Sequence, residues 1–442
     1  METSLESTAV TLAQPARTAR PAERAGLARR TVAAYASGSI GAGMFYAFSN
    51  AVLPLLIPSH NALLVNLLSN TRSIEGAVIQ PVVGGFSDRI WTRWGRRRPF
   101  LIAALPLSAL IMALTPLAHQ LWLVVACIFA FSLLFNVAID PYNALMADIT
   151  APEERPRVNA VATVVQFVGQ VGLTLIIVAG PFFKSEPLLA YPLLAALILA
   201  SFAPTVVGVR ERPSSADALG AVARHRRHSV SATLAAVRAL PMARRYLLAL
   251  FAYNVGVQVI MVNLTRFAVH VLHTSQTQAV FLFMILVLTT GLGAIPAGLL
   301  ARRFGPKAVV MAGMCLIALG AAAALVVSSI AAVIPALIVA GLGNSCLTLT
   351  WPLLTLLIPA DYTGLFAGLK TAAESISAFG SGVVAAVMVG VWGYRSIFIV
   401  LICAVIASLL ILSRVAVPAA AATTPALSDF PEKGRGRGNE AW

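Results

Sequence analysis

The feature that most constrains this chain is a succession of apolar runs, each long enough for a helix to cross a bilayer, which takes about 20 residues. They fall at 31–57, 61–86, 100–118, 121–147, 160–183 and 187–207. A second set follows at 246–272, 278–301, 308–330, 331–358, 365–390 and 394–416. Lipid offers no hydrogen bonds to the backbone, so each run has to satisfy its own as a helix. The ten-residue alternation of a membrane barrel is absent from the pattern. Of the 442 residues 59% are hydrophobic and only 11% are charged. A soluble surface needs more charge than that. The expectation is an all-α membrane protein with about 12 transmembrane helices.

Charge placement sets the expected orientation. The formal net charge is +15. In a soluble protein that would raise nucleic-acid binding, but here basic residues collect in the loops between spans. With both termini on the cytoplasmic side, 27 of the 32 Lys and Arg fall on that side. Lys184 and Arg395 fall outside, and Arg72, Arg266 and Lys370 lie within or at the ends of spans. That asymmetry fits an even number of helices in the cytoplasmic (inner or plasma) membrane. Residues 1–30 are polar and basic and lack the apolar core of a signal peptide, so they read as a disordered cytoplasmic tail. Residues 417–442 read the same way. Cys127, Cys315, Cys346 and Cys403 sit in apolar runs without metal or disulfide spacing.

A basic stretch at 208–245 divides the chain into bundles at 31–207 and 246–416. It reads as a cytoplasmic linker whose arginines anchor to the membrane surface, with anionic lipid as a compatible contact. The two bundles echo one another. Trp94-Gly95 recurs as Phe304-Gly305, Pro141 as Pro352 and Gly169 as Gly380, always 210 or 211 residues apart. A constant offset is what duplication of a six-helix unit produces.

The strongest local motif runs from Gln80-Pro81-Val82-Val83-Gly84-Gly85 through Ser87-Asp88-Arg89 to Gly95-Arg96-Arg97-Arg98-Pro99-Phe100. A glycine-permitted turn here carries one carboxylate beside several guanidiniums. A carboxylate at a helix C-terminus needs a partner, and arginine supplies a bidentate one. A second cluster combines Asn136, Pro141, Ala144, Leu145 and Asp148 with Arg155, Arg157 and Asn159. Both resemble the major facilitator superfamily, and more narrowly its sucrose- and glycoside-proton symporters. The resemblance implies two pseudo-symmetric six-helix halves and a cytoplasmic gate. Its residues would be Gly84, Asp88, Arg89, Gly95, Arg96, Arg97, Arg98, Asp148, Arg155 and Arg157, with Asp148 paired to Arg155 or Arg157. Lys370 and Glu374, four apart, form a further candidate gate pair. The relatives place an Arg two residues after the proline and an acid nine before it. Here those positions hold Asn143 and Ser132, and Asp140 directly precedes Pro141.

Charges inside a bilayer are costly and mark function by default. Asp140 is the first candidate for proton coupling and Glu75 the second; Arg72 lies one turn from Glu75. Candidate substrate-lining groups are Tyr46, Asn50, Arg72, Asn143, Gln166, Gln170, Asn254, Gln258, Asn344 and Trp351. Each taken singly can equally be a helix–helix hydrogen bond. The expected activity is uptake of a sugar or glycoside by alternating access, driven by protons or sodium, in a monomer without cofactor or metal. Export of a hydrophobic or cationic compound stays open, as does a non-transporting sensor or assembly role. No phosphate-cradling loop or nucleophile elbow points to an enzyme.

Overall fold

The computed structural model describes residues 29–57, 66, 83, 92–150, 154–180, 187–211, 237–358 and 363–417. Among these residues the architecture is all helical, with one isolated bridge between Thr92 and Gly95. Among the described residues, ten helices are long and apolar enough to cross a membrane. Their residues coincide with ten of the twelve expected runs. The first expected run is also helical, and the second, 61–86, lies outside the described residues except for positions 66 and 83.

The first run opens as α1 (Arg29–Ala47), widens into a π-helical turn at Phe48–Val52, and ends in the short α2 (Leu53–Leu56). Pro54 has no N–H to donate, so the α-helical ladder cannot continue unbroken through it. The Leu53 N–H bonds to Phe48 O instead, a five-residue step. The first half continues with α3 (Arg98–Leu114), α4 (Leu121–Ile149), α5 (Arg155–Ala179) and α6 (Pro187–Gly208). The second comprises α7 (Pro241–Val271), α8 (Gln276–Phe304), α9 (Pro306–Val326), α10 (Ile330–Asn344), α11 (Thr363–Trp392) and α12 (Ser396–Ser413). After α10 the chain tightens into a 3-10 segment, Ser345–Leu349, before a last helical turn, Thr350–Thr355.

Without a hydrophobic drive between helices in lipid, close packing and hydrogen bonds hold the bundle. α1 packs on α5 and α6, while α7 packs on α11 and α12. Gly43 and Gly169 let the α1 and α5 backbones meet: a Cβ on Gly43 would strike Gln166 O, and one on Gly169 would strike Ile40 O. The two halves repeat one another's polar seams. Thr205 Oγ1 on α6 donates to Ala34 O on α1 at 2.7 Å. Ser408 Oγ on α12 donates to Ala249 O on α7 at 2.8 Å. Buried Tyr142 stacks on Tyr35 and donates to Tyr35 O at 2.7 Å. Tyr246, 211 positions after Tyr35, donates to Thr350 O at 2.7 Å. Large apolar side chains such as Trp122, Val207, Ile295 and Leu410 point outward and are exposed. The halves meet where α5 packs against α8, with Phe167 over Gly291, and where the π turn and α2 pack on α7.

Candidate functional site

A polar cavity of about 390 Å3 lies between the halves, midway along the spans. Each helix gives it one stripe at helical spacing. Tyr46 and Asn50 come from α1 and its π turn, four residues apart. α4 contributes Asn136, Asp140 and Asn143, and α5 contributes Gln170. The facing wall carries Asn254 and Gln258 from α7 and Thr371, Glu374 and Ser375 from α11. Amides and hydroxyls both donate and accept, so this lining can match a polyhydroxylated ligand whatever its rotamers. Some amide donors are tied to their own helices: Asn136 Nδ2 bonds Ser132 O at 3.0 Å and Asn254 Nδ2 bonds Leu250 O at 2.9 Å.

Of the residues expected to line a substrate site, Tyr46, Asn50, Asn143, Gln170, Asn254 and Gln258 converge here beside Asp140. Asn344 and Trp351 do not. Asn344 is buried in the second half, accepting from Tyr253 OH at 2.9 Å and bonding Thr290 Oγ1 at 3.4 Å. Trp351 packs against the apolar core. Asn344 ends α10 before the 3-10 segment, and that segment, which turns each residue further than an α-helix does, re-aims the Trp351 that follows it. Gln166 lies one turn before Gln170 and supplies the main-chain oxygen beside Gly43 rather than a cavity wall. Arg72 and Glu75 lie outside the described residues. Thr371 and Ser375 were not anticipated; their i,i+4 spacing beside Glu374 was the available signal.

Lys370 and Glu374 form an ion pair on α11. The pair expected as a gate is therefore formed, and one of its members also faces the cavity. Glu374 belongs to the cavity wall, and Lys370 sits one turn nearer the start of α11.

The arginine-rich loop and Asp148 meet on the face where α3 begins and α4 ends. Asp148 is held by Arg96, whose Nε lies 3.1 Å from Oδ2, and by Arg97 Nε, also at 3.1 Å. Arg96 and Arg97, both expected as gate residues, thus hold Asp148, for which Arg155 or Arg157 was the expected partner. The last turn of α4 stands beside the loop that leads into its antiparallel neighbour α3, so the loop arginines arrive first. Arg157 is exposed on α5, and nothing is described of the Arg155 side chain. Gly84, Asp88 and Arg89 lie outside the described residues. Arg98 enters the same cluster through its main chain. The Glu211 carboxylate accepts from the N–H groups of Arg96 (2.7 Å), Arg97 (3.0 Å) and Arg98 (3.0 Å) at the start of α3. Glu211 was not anticipated. Gly95 is required here, with φ +100° and a Cβ position 2.6 Å from that carboxyl. Among the described residues, the groups joined in this cluster come from the loop before α3, the end of α4 and the stretch after α6, so these bonds brace the first bundle.

The bridge between halves lies on the opposite face. Arg266, 6% exposed near the end of α7, bonds Pro54 O at 2.6 Å and Ile57 O at 3.1 Å. It also donates to Tyr394 OH at 3.3 Å, and Tyr394 stacks on His270. Asn263 adds a 2.8 Å bond to Asn66. A guanidinium thus caps the carbonyl end of the first span from across the interface.

The comparisons with known proteins agree with this architecture. The nucleoside transporter NupG aligns with a TM-score of 0.67 at 10% identity, covering 87% of this chain and 99% of that one. A D-xylose–proton symporter aligns with a TM-score of 0.63 at 16% identity, covering 87% and 96%. At such identities the likeness establishes the fold. In sequence, the sucrose transport protein SUC4 of Arabidopsis thaliana is 33% identical over 98 residues, which is 19% of this chain and 19% of the plant protein. The family described as MFS/sugar transport protein matches residues 34–397. With two helical halves, a polar cavity between them and a family match across most of its length, the chain belongs to the MFS/sugar transport protein family, a family of transporters and not of enzymes.

Proposed function

We propose that this transporter carries a sugar or glycoside into the cell together with a proton, by alternating access between its two halves. The observation that supports it most is the cavity: polar, midway along the spans, and lined from both halves. Secondary transporters of this architecture bind at the midplane and rock around the site. The amides of Asn50, Asn143, Gln170, Asn254 and Gln258 suit hydroxyl groups. Glu374 has Lys370 as its counter-ion on the second-half wall. Asp140, on the first-half wall, is assigned the proton, because charge in low dielectric is costly and a carboxylate there changes the balance between conformations when it protonates. Rocking would break the bonds from Arg266 to Pro54 and Ile57 and open that face. A differential of a few kcal/mol between the two states is enough to exchange their populations. With both termini cytoplasmic, the Arg266 clasp faces outward.

The test is uptake of radiolabelled sucrose and maltose into proteoliposomes, with and without an inward proton gradient. Accumulation above equilibrium is expected only with the gradient. Asp140→Asn is expected to abolish accumulation while sugar exchange at equal concentrations persists. Accumulation by Asp140→Asn at the parent level would remove Asp140 from coupling. Absence of sugar uptake, with proton-driven efflux of a cationic dye in its place, would make the protein an exporter.

A further inference from the structure

A second cavity, of about 360 Å3, lies away from the central site on the face where α3 begins and α6 ends. One side is a tightly built turn. Thr92 and Gly95 exchange main-chain hydrogen bonds of 3.0 Å, and Thr92 Oγ1 donates to Gly95 O at 2.8 Å. The other sides are Arg98 at the start of α3 and Arg210 and Glu211 beyond the end of α6. Three arginines therefore line one small space: Arg93, Arg98 and Arg210.

The neighbouring acids are already engaged. Glu211 is turned to the main-chain N–H groups of Arg96, Arg97 and Arg98. Asp148 is bound by the side chains of Arg96 and Arg97. Among the described residues none of Arg93, Arg98 and Arg210 is ion-paired. Arg98 Nε is buried and meets no hydrogen-bond acceptor among them. A buried charged donor left without an acceptor is expensive, and an anion in the cavity would supply that acceptor.

The surroundings decide which anion. Trp94 is 43% exposed beside the cavity, and the Arg93 guanidinium lies over its ring at 4.5 Å. Tryptophan at a span end marks the headgroup level. Val207, one turn before Arg210 on α6, is 76% exposed, and Leu107 and Leu110 are exposed on the adjoining α3. A soluble anion would use the arginines alone; a phospholipid would use the arginines and the apolar faces beneath them. Guanidiniums also match phosphate oxygens in a planar, bidentate way. We propose that this cavity binds the phosphate of an anionic phospholipid, whose acyl chains lie along the outward faces of α3 and α6. Such a lipid would fasten the arginine loop to the end of α6 from the membrane side. The site is independent of what the central cavity carries.

The purified full chain in detergent is titrated with dioctanoyl phosphatidylglycerol, and in parallel with dioctanoyl phosphatidylcholine, glycerol 1-phosphate and inorganic phosphate. Phosphatidylglycerol is expected to bind about tenfold or more tighter than phosphatidylcholine, without competition from the soluble phosphates. The double variant Arg93→Gln, Arg210→Gln changes two exposed side chains. It is expected to weaken phosphatidylglycerol about 30-fold, the effect of two arginines at an anionic surface, and to leave phosphatidylcholine unchanged. The charge-preserving Arg93→Lys, Arg210→Lys variant should fall between. Inorganic phosphate binding as tightly as the lipid would overturn the lipid assignment. A folded, monodisperse Gln variant that binds like the parent would overturn the cavity. A Lys variant equal to the parent would reduce the effect to diffuse charge attraction and overturn the built site.

Discussion

The two halves solve the same structural problem with opposite chemistry. In each, the third helix must start beside the end of the sixth. Both use a glycine at positive φ exactly one repeat apart in sequence, Gly95 at +100° and Gly305 at +82°. In the first half the chain just beyond the sixth helix supplies a carboxylate, Glu211, to main-chain N–H groups at the start of the third. In the second the third helix supplies an ammonium, Lys307, to main-chain carbonyls at the end of the sixth, Val415 O at 2.7 Å and Ser413 O at 3.2 Å. Both satisfy the orphan groups at a helix end, but at opposite ends. The shared backbone turn carries the symmetry, and the side chains diverge upon it. Among the described residues, the first half alone adds a part-buried carboxylate held by two arginines. Its loop face should therefore be costlier to disturb.

The sharpest way to break that comparison is Asp148→Asn. Arg97 is 6% exposed and would lose its carboxylate. Removing the charge from one member of a partly buried pair leaves charge-assisted hydrogen bonds uncompensated, at a cost of about 2 kcal/mol. The apparent unfolding midpoint of the purified protein should fall clearly, and sugar exchange with it. An unchanged midpoint would mean that the arginines find other acceptors and that the first half is no more charge-dependent than the second.

A smaller contrast compares the two junctions directly. Glu211→Gln keeps an oxygen near the three N–H groups but removes its charge, which should cost about 1.5 kcal/mol. Lys307→Met removes two hydrogen bonds from a partly exposed ammonium and should cost less than about 1 kcal/mol. Thermal unfolding of the two variants side by side gives the order. If Lys307→Met proved the more damaging, the asymmetry between the halves would be reversed.

What the sequence revealed follows from where each constraint originates. Bilayer thickness fixes the length of an apolar run, so the spans were legible without any knowledge of contacts. Helical spacing fixes which residues share a face, so Tyr46 with Asn50 and Asn254 with Gln258 could be paired in advance. Helical spacing stops fixing a shared face where a helix leaves α geometry. The 3-10 segment Ser345–Leu349 re-aims Trp351, which follows it, and the π turn at Phe48–Val52 had only Pro54 as its signal. Spacing is silent again where the partner is set by tertiary adjacency. Nothing near Asp148 in sequence marks Arg96 and Arg97 as its partners, 52 and 51 residues away. Arg266 shows the same limit: its acceptors are main-chain oxygens 209 and 212 residues earlier, which carry no residue identity to recognise.

The smallest expected effect tests the symmetry itself. Thr205→Val on α6 and Ser408→Ala on α12 each delete one hydroxyl that donates to a carbonyl of the first helix in its own half, Ala34 O and Ala249 O. Both hydroxyls are fully buried. In a membrane interior one such bond contributes about 0.6 kcal/mol, because the carbonyl partly recovers through its own helix ladder. The two losses should therefore be small and equal. Matched unfolding curves for the variants would fit seams inherited from one duplicated unit and kept for the same purpose. A markedly larger loss for Thr205→Val would have a different cause. The α1–α6 seam also carries Ser37, whose Oγ lies 3.5 Å from Thr205 Oγ1, and Tyr35 O accepts a second, longer bond from Thr205 at 3.4 Å. The first half would then be the more cross-linked bundle within the bilayer as well as at its loop face, and the divergence between the halves would run the length of the helices.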